Sequence, residues 1–138
     1  MAAGRLSTPD SEAPAADEWS RWWLTGRFDA ATPARTQQRR DLETVRDHLL
    51  DLLRLRPYDD GLDVGCGDGT IGFGLLDRLE SGNVTFSDIS AGLVEHCRRE
   101  AAARGLSARC RFQVADAVTL AGVPDRSVDV LTSRSVLC

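Results

Sequence analysis

The sequence predicts an α/β fold in which a parallel sheet is flanked by helices and preceded by an N-terminal helical extension. Three observations support this prediction. Short apolar strands alternate with helices in the second half of the chain, and one strand leads directly into a glycine-rich loop and a helix. The composition, 42% hydrophobic and 28% charged, is typical of a globular domain. At 138 residues, the chain is expected to form one such domain.

The N-terminal part divides into two segments. Residues 1–17 are rich in Ala, Ser, Pro and acidic groups, and we expect a disordered tail because they offer little apolar surface. Residues 18–56 form the predicted helical extension. Its first helix ends near Gly26 and carries all three tryptophans at i, i+3, i+4 spacing: Trp19, Trp22 and Trp23. This aromatic face either docks on the domain or covers a cofactor cleft as a lid.

The second predicted helix begins at Pro33, a residue suited to a first helical turn, and runs to about Leu55 before Pro57 stops it. Its apolar residues recur at helical spacing and define one face: Leu42, Val45, Leu49, Leu52 and Leu53. Its charged residues fall on the opposite face, where we expect them to be solvated: Arg39, Arg40, Asp41 and Glu43.

Residues 57–138 form the predicted cofactor-binding domain. Strands are expected at 61–64, 83–87, 109–114 and 127–132, with helices at 70–79 and 90–104 and a loop over 116–126. Ser90 is a suitable N-cap for the second of these helices. Gly72 and Gly74 lie within the first, where we expect them to permit close helix–strand packing.

The loop after the first strand allows two interpretations. Gly67 to Gly72 matches the G-x-G-x-x-G dinucleotide fingerprint, and Asp88 follows Gly67 by 21 positions, so an NAD(P)-binding oxidoreductase domain is one alternative. The other frame is Asp63-x-Gly65-x-Gly67-x-Gly69, in which acidic residues flank the glycines. Carboxylates beside a pyrophosphate are electrostatically unfavourable, whereas beside a sulfonium and an ammonium they are favourable. The sequence therefore favours the acidic frame.

Four segments of the chain, in this order, resemble the motifs of the class I S-adenosylmethionine-dependent methyltransferases, a Rossmann-like family. The most specific is similar to motif I of that family: Asp63-Val64-Gly65-Cys66-Gly67-Asp68-Gly69. The others resemble the segments at the next three strands: Phe86-Ser87-Asp88-Ile89-Ser90, Val114-Ala115-Asp116-Ala117, and Ser127-Val128-Asp129-Val130-Leu131-Thr132-Ser133. The resemblance covers the chain from about Leu62 to its end and implies S-adenosyl-L-methionine as the cofactor.

The resemblance implies roles at the first two strand ends. Gly65 and Gly67 would let the backbone touch the methionyl part of the cofactor, and Asp63 would orient the loop and accept from the cofactor ammonium. Asp88 would accept from both ribose hydroxyls. Cys66 belongs to the same cofactor-binding loop, where its side chain is expected to be a small filler.

The resemblance also implies roles further along the chain. Ile89 would pack on the adenine, Asp116 would accept from the exocyclic amine, and the N–H of Ala117 would donate to the ring. Ser133, with its neighbour Arg134, would face the transferred methyl group or the acceptor. No residue stands out as a general base, and the catalytic residues stay unassigned.

The implied reaction is methyl transfer to a small-molecule acceptor. A net charge of −4 and a pI near 5.1 argue against a nucleic-acid surface, and no apolar run approaches the ~20 residues of a membrane span. Residues 1–17 lack the apolar core of a secretory signal, so we expect a cytoplasmic protein. The four scattered cysteines and two histidines predict no metal site.

The family's sheet has seven strands in the order 3-2-1-4-5-7-6, whereas this chain ends at Cys138, after the fourth predicted strand. We therefore expect an incomplete sheet, a truncated product that lacks part of the substrate wall, and a fourth strand at an exposed hydrophobic edge. A third function follows from that edge: a non-enzymatic module that binds a partner through the fourth strand and the tryptophan-rich helix.

Overall fold

The computed structural model describes residues 17–26 and 33–134, so nearly all of the predicted tail (1–17) lies outside the described residues. The helices are α1 (Glu18–Arg21), continued by a π-helical turn (Trp22–Gly26), α2 (Pro33–Asp51), α3 (Thr70–Arg78), α4 (Ala91–Ala103) and a 3-10 turn (Ser107–Arg109). The strands are β1 (Gly61–Val64), β2 (Val84–Asp88), β3 (Cys110–Val114) and β4 (Val130–Ser133).

The four strands form one parallel sheet in the order β3-β2-β1-β4. This arrangement confirms the predicted α/β class and the order expected for the first four strands of the family. Val64 pairs with Ser87 on one side and with Ser133 on the other, and Asp88 pairs with Val114. Because the strands are parallel and in this register, their carboxyl ends meet at a single edge of the sheet. Strand β4 lies at one side of the described sheet, and Leu131 is 52% exposed.

The core lies between the sheet and the layer formed by α3 and α4. Phe86 at the centre of β2 packs on Phe73 of α3, with ring centroids 4.8 Å apart, and on Phe112 of β3, at 5.6 Å. A Cβ at Gly72 would lie 2.4 Å from the Phe86 ring, which confirms close helix–strand packing at that glycine. At Gly74 the prediction was wrong, because the neighbours there are side chains of α2, so this glycine permits helix–helix packing.

The predicted apolar face of α2 is not the face that packs. Leu49 is nearly half exposed and Leu52, just beyond the end of the helix, is 69% exposed, whereas Leu50 is fully buried. The contact with α3 is made by Leu50 and by the aliphatic part of Arg46, both against Gly74. A helix rotates about 100° per residue, so choosing Leu49 in place of Leu50 selects a different face. The contact face includes an arginine stem, which an apolar pattern does not reveal.

The first helix docks on the domain through its polar cap, while Trp19 and Trp22 of the predicted tryptophan face stay largely exposed. The Asp17 carboxylate accepts from the Ser20 N–H at 2.8 Å, from the Ser90 hydroxyl at 2.7 Å and from the Gly92 N–H at 3.2 Å. Trp19 is 63% exposed and Trp22 is 50% exposed. The α-helix lasts one turn before the π-helical turn, so the i, i+3, i+4 face is not maintained. Asp17 therefore links α1 to the start of α4.

Candidate functional site

The carboxyl edge of the sheet brings together the residues that the sequence singled out. Two backbone hydrogen bonds connect successive strand ends: Cys66 N–H to the Ser87 carbonyl at 2.9 Å, and Ala115 N–H to the Asp88 carbonyl at 3.0 Å. The loops after β1, β2 and β3 are therefore in register with one another. All predicted site residues lie in these loops or at the strand ends: Asp63, Gly65, Cys66, Gly67, Asp88, Ile89, Asp116, Ala117 and Ser133.

The glycine loop requires a left-handed backbone. Gly65 and Gly67 have φ of 66° and 55°, values that side chains rarely permit. The loop closes through a hydrogen bond from Gly69 N–H to the Cys66 carbonyl at 2.8 Å, and Gly69 then begins α3. Asp68, at the tip, accepts from both the N–H and the hydroxyl of Thr70, at 3.1 and 2.7 Å. Hydrogen bonds within the protein therefore define the shape of the loop.

Asp63 is a buried carboxylate beneath this loop. One oxygen accepts from the Gly72 N–H at 3.0 Å, the other from the Thr132 hydroxyl at 2.9 Å. Burial, with a smaller effect from the nearby charge of Asp68, raises the pKa of Asp63 to about 7, although the hydrogen bonds from Thr132 and Gly72 and the charge of Arg134 act to lower it. Asp63 thus connects the start of α3 to β4 and titrates near neutral pH. Its predicted contact with a cofactor ammonium stays a prediction.

Asp88 joins the glycine loop to the start of α4. Its two oxygens accept from the Gly67 N–H at 3.1 Å and from the Ser90 N–H at 2.9 Å. Each carboxylate oxygen can accept a second hydrogen bond, so the group keeps capacity for a ligand hydroxyl. Ser90 is the N-cap of α4, as the sequence predicted, and accepts from the Leu93 N–H.

The remaining predicted residues are more open. Ile89 is 65% exposed and offers an apolar surface beside Asp88. Asp116 is also exposed, and its carboxylate accepts from the Val118 N–H at 2.6 Å. Ala117 is half-buried and Ser133 is exposed. These residues share the edge with the glycine loop, and their predicted contacts with adenine or acceptor stay predictions.

The Cys66 side chain points away from the edge, into the core. Its sulfur lies 3.8 Å from the sulfur of Cys97, which donates to the Gly67 carbonyl at 3.4 Å. The hydrogen bond with Cys97, together with burial, raises the pKa of the Cys66 thiol. The thiol therefore acts as a filler, as expected, and only the backbone of Cys66 faces the loop.

Trp23 lies directly over the glycine loop. A Cβ at Gly67 would be 3.0 Å from the indole ring. Trp23 borders both a cleft of about 20 Å³ and a cavity of about 450 Å³. Four residues border both spaces: Trp23, Asp68, Thr70 and Arg134. The position of Trp23 agrees with the lid alternative, although the sequence offered no means of choosing it over the other tryptophans.

Two further features of the site had no sequence signal or only a misleading one. Thr132, the partner of Asp63, is an ordinary strand residue in the sequence. Arg39 and Glu43 are solvated, as expected, and they also border the larger cavity together with Arg35. Their position depends on how α2 packs, which the sequence pattern misjudged. Within residues 17–26 and 33–134, no group of three or more potential ligands is placed to hold a metal ion.

Comparison with known proteins identifies relatives of the part of the chain that forms this edge. Residues 62–138 match the family model described as methyltransferase domain. The release factor glutamine methyltransferase of Chlorobaculum tepidum is 38% identical over 86 residues, 59% of this chain and 29% of the relative. Phosphoethanolamine N-methyltransferase 1 of Arabidopsis thaliana is 33% identical over 96 residues, 70% of this chain and 18% of the relative.

A solved structure extends the likeness to most of the chain. A chain from the complex between the Haloferax volcanii Trm112 methyltransferase activator and a methyltransferase has a TM-score of 0.64 and 26% identity. The match covers 86% of this chain and 47% of that one. This chain thus spans less than a third of the curated relatives it matches and about half of this structural relative.

Proposed function

The chain belongs to the methyltransferase domain family, and we propose that it binds S-adenosyl-L-methionine at the glycine-loop edge for methyl transfer to a small-molecule acceptor. The observation that carries this proposal is the pair of buried carboxylates beside the glycine loop: Asp88 accepts from the Gly67 N–H within the loop, and Asp63 accepts from the Gly72 N–H at the start of α3. We further propose residues 57–138 as the cofactor-binding domain, with 18–56 as its helical extension.

The charges at the edge suit this cofactor. Its sulfonium and ammonium are positive, and Asp63, Asp68 and Asp88 all lie in or against the glycine loop. Asp63 would be ionised when an ammonium is bound, because a neighbouring positive charge lowers a carboxyl pKa. Asp88 would accept from the ribose hydroxyls, with Ile89 and Asp116 against the adenine. A dinucleotide pyrophosphate would meet the same carboxylates unfavourably.

The cofactor, when bound, supplies an electrophilic methyl group. A nucleophilic atom of the acceptor would bond to that methyl carbon as its bond to sulfur breaks, leaving S-adenosylhomocysteine, and any proton lost by the acceptor would pass to solvent. The role of the chain in this step is to align the two reactants and to limit access by water. We propose that Trp23 above the loop and Ser133 at the end of β4 contribute to this role.

The acceptor is part of the proposal. One relative is named for a glutamine of a release factor and the other for phosphoethanolamine, so their names do not agree on protein or small molecule. The cavity of about 450 Å³ beside the glycine loop supports a small molecule, because small-molecule sites commonly occupy ~300–1,000 Å³. A cytoplasmic location is proposed as well, supported by free thiols at Cys66 and Cys97.

Calorimetric titration of the full chain with S-adenosylhomocysteine, using NAD⁺ as the control ligand, tests the cofactor assignment. Circular dichroism on the same sample would establish that the chain is folded. We expect binding of S-adenosylhomocysteine and none of NAD⁺. A folded sample that binds only NAD⁺ would reverse the assignment in favour of an oxidoreductase domain, and one that binds neither would exclude the proposed site.

A further inference from the structure

The larger cavity has an excess of positive charge. It lies between α2, the start of α3 and one face of α4, and Trp23 closes one end. Five arginines border it, against three carboxylates: Arg35, Arg39, Arg46, Arg104 and Arg134, with Glu43, Asp68 and Glu100. Burial lowers the pKa of His96, which also borders the cavity, so this imidazole adds no charge at neutral pH.

Three of the five arginines are already neutralised. Arg39 pairs with Glu43 at 3.6 Å, and Arg46 pairs with Asp47 at 2.8 Å. Arg104 pairs with Glu100 at 2.7 Å and also stacks over the Phe73 ring. These guanidinium groups border the cavity with a carboxylate already beside each, so they are weaker candidates for binding an anionic ligand.

Arg35 and Arg134 have no such partner. Neither forms a salt bridge with a carboxylate in the described part of the chain. The Nη1 atom of Arg35 is buried and has no hydrogen-bond partner among residues 17–26 and 33–134. Leaving a buried guanidinium nitrogen unpaired is unfavourable, and an anionic oxygen would remove that cost. Arg134 follows the end of β4 and borders both the cavity and the cleft at the glycine loop.

From this arrangement we propose that the acceptor is an anionic molecule whose carboxylate or phosphate binds Arg35 and Arg134. The apolar walls of the cavity, Trp23, Leu24, Leu42 and Phe73, would hold a ring or short aliphatic body. Guanidinium groups suit both carboxylate and phosphate because each can receive two parallel hydrogen bonds. This inference rests on the proposed function, since it names the acceptor of the same reaction.

The test uses three small probes of one shape on the full chain: benzoate, phenyl phosphate and neutral benzamide. Calorimetry is run on wild type, Arg35→Gln, the double variant Arg35→Gln/Arg134→Gln, and Arg40→Gln. Arg40 is the matched control, because it lies on the same helix and is exposed outside the cavity. S-adenosylhomocysteine is titrated into wild type and Arg35→Gln in parallel.

We expect at least one anionic probe to bind about tenfold more tightly than benzamide. Arg35→Gln should weaken the binding of that probe about fivefold, and the double variant should weaken it more. Arg40→Gln should leave the affinity for that probe unchanged. Whichever of the two anions binds more tightly identifies the anionic group of the acceptor as a carboxylate or a phosphate. Equal binding of all three probes, or an equal loss in Arg40→Gln, would overturn the anion site. If S-adenosylhomocysteine fails to bind while the arginine-dependent anion binding persists, the proposed function fails and the anion site stands.

Discussion

The carboxyl edge of the sheet has an inner half, at β1 and β2, and an outer half, at β3 and β4, and the two are built differently. Every residue of β1 is buried, as are most residues of β2. In β3 and β4, by contrast, every residue is half-buried or exposed. Asp63 and Asp88 each accept two hydrogen bonds from the protein. Asp116 is exposed and accepts only from its own loop.

This difference separates a prearranged part of the site from an adaptable one. The inner half fixes the glycine loop before any ligand arrives, so little ordering is required there on binding. The outer half presents side chains such as Asp116 and Ser133 that a ligand would cover. We therefore expect substitutions at the inner half to change both stability and cofactor binding, and those at the outer half to change binding weakly or not at all.

The largest expected effect is the pH dependence created by Asp63. Its pKa is raised from 3.8 to about 7 in the folded chain, so ionisation favours the unfolded state. The stability that Asp63 contributes to the folded chain is fully present below pH 3.8 and is lost as the pH rises through 7. The total loss in the free energy of unfolding is about 4 kcal/mol, at 1.36 kcal/mol per pH unit. Asp63→Asn should therefore be increasingly more stable than wild type from pH 5 to pH 8, as measured by urea unfolding.

The substitution can keep both hydrogen bonds of Asp63. An asparagine oxygen can accept from the Gly72 N–H, and its amide can donate to the Thr132 hydroxyl. Asp60, just before β1, is the matched control, because its hydrogen bonds from Asn83 hold its pKa below the usual range. Asp60→Asn should be less stable than wild type, and this difference should disappear as the pH falls. A pH-independent difference for Asp63→Asn would contradict an aspartate that titrates near 7.

The next effect concerns packing beneath the inner half. In Gly72→Ala, the new Cβ would be 2.4 Å from the fully buried Phe86 ring, so the ring or the helix must shift. We expect a loss of about 3 kcal/mol in the free energy of unfolding, the upper part of the range for overpacking. Gly105→Ala is the comparison: nothing lies within 4 Å of its Cβ, and only the positive φ of 70° opposes it. That variant should lose about 1 kcal/mol.

The two halves can be compared directly through cofactor affinity. Asp88→Asn places an amide where a carboxylate oxygen now accepts from the backbone, and it removes the proposed acceptor for the ribose. We expect S-adenosylhomocysteine to bind about 100-fold more weakly, or about 2.7 kcal/mol. Asp116→Asn should weaken it about fivefold or less, since this exposed side chain makes one local contact. Calorimetry on folded samples measures both, and equal losses would remove the distinction between the halves.

The sequence predicted the inner half better than the rest of the molecule, for physical reasons. The bounds of β1 are as predicted, and Ser90 is the N-cap of α4, as predicted. The end of α3 differs from the prediction by one residue. Glycines, caps and short buried strands act locally, so neighbouring residues reveal them. The packing face of α2 and the partner of Asp63 depend on contacts 20 to 70 positions away, where periodicity carries no information. Trp23 over Gly67 is of this second kind.

The smallest expected effect is at the outer edge. Leu131 on β4 is 52% exposed, so Leu131→Thr removes little buried apolar surface and keeps a residue favoured in strands. We expect the free energy of unfolding to change by less than about 0.5 kcal/mol. Exposed apolar edges promote strand-to-strand association, so any self-association of the wild type in size-exclusion chromatography should decrease in this variant. If association is unchanged while the chain stays folded, β4 is not the contact, and an interaction module based on this strand loses its support.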